Sequence, residues 1–193
     1  RGAPGAGITA ETLRAEISKA FGPKAERMVG DILVPLATQA DIASVSELAD
    51  VVPHIRAGDR ISGFYHPNTG KTYAILENLS AGDVRGLALH EIGVHYGFLG
   101  MLGEERYRQV IKQADAMRKA GNKAVIAAYE QATKQAAQPH QVEEETLAYL
   151  VSNNADMGWV KRLIAEIKAF LFRKFGILGD RLTADDIAAL ARA

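Results

Sequence analysis

Three residues of one apolar segment have the types and spacing to do chemistry: His90, Glu91 and His95, within Leu87-Ala-Leu-His90-Glu91-Ile-Gly-Val-His95-Tyr-Gly-Phe98. Neutral imidazole is a good zinc ligand, and a glutamate beside one ligand can stay off the metal and take a proton from a metal-bound water. Histidines that share one ion usually sit four residues apart, about 40° from each other around a helix of 3.6 residues per turn. Here they are five apart, which an ideal helix turns into roughly 140°, too far for a single ion. Two arrangements avoid the conflict. Either only one histidine is a ligand, or the helix takes in one extra residue as a π turn, a distortion frequent at functional sites. Gly93 lies inside the stretch and tolerates distorted backbone best, so the π turn is the favoured expectation.

A carboxylate for the same ion is available downstream. Gln141-Val-Glu143-Glu144-Glu145-Thr-Leu-Ala-Tyr149-Leu-Val151 reads as a helix with three consecutive acids ahead of an apolar face. Alone, they are an acidic first turn that suits the helix dipole. With two histidines, one of them completes the His-His-Glu set of catalytic zinc sites and leaves a fourth position to water. There are no cysteines, which excludes thiolate ligands and disulfides and leaves nitrogen and oxygen donors only. The cofactor expected is one Zn2+. Zinc would bring the pKa of its water toward neutrality, and Glu91 would accept the proton as that water attacks a carbonyl. The resulting oxyanion needs a further donor, for which Tyr65, His66, Tyr96 and Tyr149 are unranked candidates.

The elements that must position these groups follow from punctuation and periodicity. Thr9 predicts the N-cap of a helix to Phe21, broken by Gly22-Pro23, and a shorter helix follows over 24–29. The apolar run 32–34 reads as a buried strand, and Ser44 or Ser46 starts a short helix ending near Asp50. Two β-rich runs, 61–65 and 71–76, flank Pro67-Asn-Thr-Gly70 and predict a hairpin. From Ala81 onward the pattern is helical, near 82–100, 104–120, 122–136, 140–153, 156–175 and 184–192. A sheet followed by a helical half is an α+β arrangement.

Two resemblances add to this reading. The pairing of HExxxH with the downstream Glu144-Glu145-Thr-Leu-Ala148 resembles the zinc site of the dipeptidyl peptidase III family. It implies His90 and His95 as ligands, Glu91 as base and Glu145 as third ligand, with Glu144 as the fallback. More broadly, Gly63-Phe-Tyr-His-Pro-Asn-Thr-Gly-Lys-Thr-Tyr73, the His90 helix, Glu144-Glu-Thr-Leu-Ala-Tyr149, Trp159 and the closing Leu182-Thr-Ala-Asp-Asp-Ile-Ala-Ala-Leu190 resemble the zincin-like metallopeptidase domains of large polyvalent proteins of phages and conjugative elements. The fold implied is zincin-like, a small N-terminal sheet or hairpin with helices followed by a mainly helical half carrying the metal site. In zincins an edge strand before the metal helix pairs with extended substrate, which implies that role for Lys71, Thr72, Tyr73 and Ala74. Where thermolysin-like zincins often carry an acid four residues after the ligand glutamate, this chain has Tyr149.

Length and charge bound the remaining choices. The chain has 193 residues, enough for one domain with a core, and 23 basic against 23 acidic side chains, so nothing draws it toward nucleic acid as a whole. Residues 1–7 read as a flexible tail or linker, and 8–193 as a single domain cut from a longer chain, with an α/β lobe over 8–80 and a helical lobe over 81–193. No secretory h-region is visible at the start. The segment Trp159-Val-Lys-Arg-Leu-Ile-Ala-Glu-Ile-Lys-Ala-Phe-Leu-Phe-Arg-Lys-Phe175 is basic and amphipathic, and core packing is favoured over a membrane surface. His54 and His140 are expected at the surface. The expected activity is zinc-dependent hydrolysis of peptide bonds in a host protein or a parent polyprotein, in a cytoplasmic setting reached by phage or conjugative delivery. The alternative is a non-catalytic zincin-like interaction module.

Overall fold

The first helix starts where a side chain can satisfy its free amides. Thr9 Oγ1 accepts from the Thr12 amide at 3.1 Å, and α1 (Ala10–Phe21) runs to Gly22, whose φ of 103° ends it. Leu13, Ile17 and Phe21 form its buried stripe, one residue per turn. This computed structural model describes residues 7–56, 58–66, 68–135 and 141–192, and within the helices not the side chains of His95 and Gln135. Two compact units divide the chain, Arg1–Glu91 and Ile92–Ala193, and each is described by itself.

In the first unit the short helix expected over 24–29 is 3-10 over Pro23–Arg27 and then a single turn, α2 (Met28–Asp31), with Val29 and Gly30 outside helical angles. Strand β1 (Leu33–Leu36) follows and extends past the expected 32–34 over Pro35, which an edge strand tolerates. The short helix expected from Ser44 or Ser46 is replaced by 3-10 turns at Gln39–Ser44, Ser46–Leu48 and Val52–His54. The hairpin forms as its turn residues predict, from β2 (Gly63–His66) and β3 (Lys71–Ile75). The strand order is β1-β3-β2, with β3 parallel to β1 and antiparallel to β2. Successive residues of β3 face opposite ways. Tyr73 and Ile75 join Leu36, Ile42 and Leu48 in a core under the 3-10 segment, while Thr72 and Ala74 face the other side.

That topology corrects one expectation. Lys71, Thr72, Tyr73 and Ala74 are not an edge available to substrate, because β3 is the middle strand and both of its edges are already paired. The parallel partner β1 lies far away in sequence, and no local pattern announced it.

Helix α3 (Val84–Leu102) is led in by a capping box at Ser80 and Asp83. Asp83 Oδ2 accepts from the Ser80 hydroxyl at 2.6 Å and the Ser80 amide at 2.9 Å, and these bonds, the hydroxyl first, hold its carboxyl below the usual range. The unit boundary falls inside α3. The second unit contains its later turns, then α4 (Glu104–Lys119), α5 (Lys123–Gln135), α6 (Gln141–Asn153), α7 (Gly158–Phe175) and α8 (Ala184–Arg192). These sit close to the expected spans, separated at Gly103, Gly121 and Gly176. Pro139 and His140 lie outside the described residues. Helix α6 is buried at every position from 146 to 151 and packs against α5 and α8. Trp159, Val160, Leu163, Ile167, Leu171 and Phe175 of α7 are buried, so the amphipathic segment packs inward. Among the described residues no helix is long and apolar enough to cross a membrane. The chain is therefore α+β, mostly helical, with one small sheet.

Candidate metal centre

Consecutive helix residues point about 100° apart, and α3 uses this to separate His90 from Glu91. His90 is exposed, whereas Glu91 is 3 % exposed. The Glu91 carboxylate accepts a hydrogen bond at Oε2 from the hydroxyl of Thr72, itself fully buried in the middle of β3. Among the described residues no basic side chain pairs with Glu91. A carboxylate taken from water without a countercharge is rare and costly, which makes this the most informative side chain in the unit. Gly63, opposite Ala74 in the ladder, lets α3 come close: a Cβ there would lie 3.3 Å from Leu87 Cδ1 and 3.2 Å from the Tyr73 carbonyl.

Tyr65 is the ladder partner of Thr72, so both project from the same sheet face, the one that meets Glu91. It is 38 % exposed and remains a candidate donor. His66 does not. Strand alternation puts it on the opposite face, against Tyr73, and both ring nitrogens are engaged: Nε2 with Asp50 Oδ1 at 3.0 Å and Nδ1 with Thr69 Oγ1 at 3.2 Å. It is buried at 3 % exposure and ties the hairpin turn to the Asp50 loop. The Tyr96 ring packs edge-on against Phe170 and Phe175 at 5.5 and 5.6 Å.

The expected π turn at Gly93 is not present. Hydrogen bonding of the α type runs through positions 90–95, and α3 departs from helical angles at Gly97, with φ 51° and ψ −172°. The distortion falls at the glycine that can hold a positive φ, and the i→i−4 bonds between the histidines stay intact. Positions 90 and 95 of this backbone are thus still roughly 140° apart around the helix axis. The His95 side chain lies outside the described residues. Among those described, no three His, Asp or Glu side chains come close enough to hold a metal ion.

On α6 the adjacent acids part company. Glu145 Oε2 pairs with Arg192 Nε of α8 at 3.3 Å, and the same guanidinium lies 4.6 Å over the ring of Tyr149. Tyr149, one turn beyond Glu145 and buried, packs its ring into this α6–α8 clasp. Glu144 projects toward α3, where its Oε1 lies 3.3 Å from the place a Cβ on Gly97 would occupy. Glu144 thus faces the helix that carries His95, whereas Glu145, the acid expected as third ligand, is paired with Arg192.

Tyr107 of α4 escaped the sequence reading. Burial first, then the carboxylates of Glu144 and Glu143, push its phenol well above the ordinary value. Nothing in its neighbours along the chain marks it, because the acids that surround it come from α6. Thr72 was visible only as part of a strand, and its tie to Glu91 depends on how α3 crosses the sheet. No protein-family model, curated protein or solved structure matches the chain.

Proposed function

We propose that this chain is a zinc-dependent peptidase, with His90, His95 and Glu144 as ligands and Glu91 as general base. The observation that carries the reading is the Glu91 carboxylate, buried and with no cationic partner among the described residues, beside an exposed His90 on the same helix. The donors fit zinc in kind: two imidazoles, a carboxylate turned toward the helix of the second imidazole, and no sulfur. With α-type hydrogen bonding from 90 to 95 these two positions leave the backbone roughly 140° apart, so a shared ion needs a change in α3 between them. Bound zinc supplies an acidified water and a positive charge for a carbonyl oxygen. Glu91 would accept a proton, and Tyr65, which shares a sheet face with Thr72, is a candidate donor to a carbonyl oxygen.

An extended polypeptide is the substrate class, and the strand it adds to is β2. The Ile75 amide bonds the Ser62 carbonyl at 3.0 Å, and antiparallel pairing alternates. Gly63 and Tyr65 therefore turn their backbone amides and carbonyls outward from β3, toward the outer edge of the hairpin.

Zinc content and cleavage of an unfolded protein substrate, measured for the parent and for Glu91→Gln, test this. The variant should retain zinc and lose activity by about 10²-fold or more, the scale of a lost general base. A parent chain that holds zinc and cleaves nothing sinks the peptidase reading and favours an interaction module.

A further inference from the structure

We infer that Thr72 is the positioning residue for Glu91: its hydroxyl binds Oε2 and leaves Oε1 as the oxygen that accepts the proton. The inference rests on the peptidase reading and adds to it a residue from the sheet. The Thr72 hydroxyl is the donor in this bond, and it has one proton to give. That proton goes to Glu91 Oε2, the only partner of this hydroxyl among the described residues.

The platform is rigid. Thr72 is fully buried, its amide bonds the Ile32 carbonyl at 2.8 Å, and β3 is paired on both sides at this position. A β-branched side chain on such a strand has little freedom at χ1. Packing alone does not account for the residue. Valine has the same shape, suits a central strand at least as well, and avoids burying a hydroxyl. A hydroxyl orients the carboxylate without adding a positive charge beside it, as a lysine or arginine would.

Thr72→Val, Thr72→Ser and Glu91→Gln, singly and as Thr72→Val with Glu91→Gln, test this in two ways. In the zinc-loaded chain Thr72→Val should lower kcat by about 10- to 100-fold with KM and zinc affinity unchanged, the scale of a misaligned catalytic group. Thr72→Ser, which restores the donor, should return kcat to within about threefold of the parent. In the metal-free chain the denaturation midpoints of the Val and Gln variants should be non-additive in the double variant, because contacting groups couple. Turnover that Thr72→Val leaves intact, a serine variant as impaired as the valine one, or additive midpoints would each overturn the role. A parent chain that binds zinc without turnover overturns the peptidase reading and this role with it. Intact turnover in Thr72→Val overturns this role alone.

Discussion

Glu144 and Glu145 show how one residue of helical offset decides a side chain's fate. They leave α6 about 100° apart, so one meets Arg192 and the other faces Gly97. Removing them should therefore have different consequences. Glu144→Ala should weaken zinc binding by at least 10-fold, while Glu145→Ala should leave it within about twofold. The Glu145–Arg192 pair is partly exposed, 21 % and 32 % at the two side chains. Solvent screening limits its loss to about 1 kcal/mol or less. Competition against a chromogenic chelator measures the first effect and urea unfolding the second. Equal zinc affinity in the two variants would remove Glu144 from the ligand set. The same logic disposes of His66. Its neighbour Tyr65 shares a face with Thr72, and alternation sends His66 to Asp50.

At the scale of the element, α3 carries the chemistry and its weakest point. A helix near 82–100, observed at Val84–Leu102, was readable from the apolar run, and so was the need for a backbone irregularity near two histidines spaced by five. Its location was not. Gly93 and Gly97 are both glycines on one helix, and sequence alone favours neither except by position between the ligands. The irregularity sits at Gly97, at φ 51° and ψ −172°, a region open to glycine and costly for other residues. Gly97→Ala should destabilise the chain by about 1–3 kcal/mol, because the new methyl keeps the strained φ and meets Glu144 Oε1 at 3.3 Å. Urea unfolding checks this, with Gly100→Ala as the control. Gly100 has no positive φ, and its added methyl meets only Tyr96 carbon atoms, the nearest at 3.4 Å. Equal midpoints for the two variants would show that the backbone at position 97 does not require glycine.

For the whole molecule the metal should act as a stabilising ligand of the native state. Zinc at a free concentration 100 times its Kd adds about 2.7 kcal/mol, and each kcal/mol moves the Tm of a chain this size by about 2–4 °C. The Tm in zinc should thus exceed that in excess EDTA by about 5–10 °C, followed by circular dichroism. A Tm indifferent to millimolar zinc would dismiss the metal site outright. Much of this molecule was legible in its residues. The Thr9 cap, the Pro-Asn-Thr-Gly hairpin turn, the helix-ending glycines and the inward stripe of α7 all depend on neighbours within a turn or two, and the available donor atoms follow from composition. The tertiary structure alone decided that β1 pairs with β3 and so closes its edge, that Thr72 meets Glu91, and that Arg192 claims Glu145. Those outcomes depend on which distant strand or helix arrives alongside, and a local pattern of residue types contains no term for that arrival.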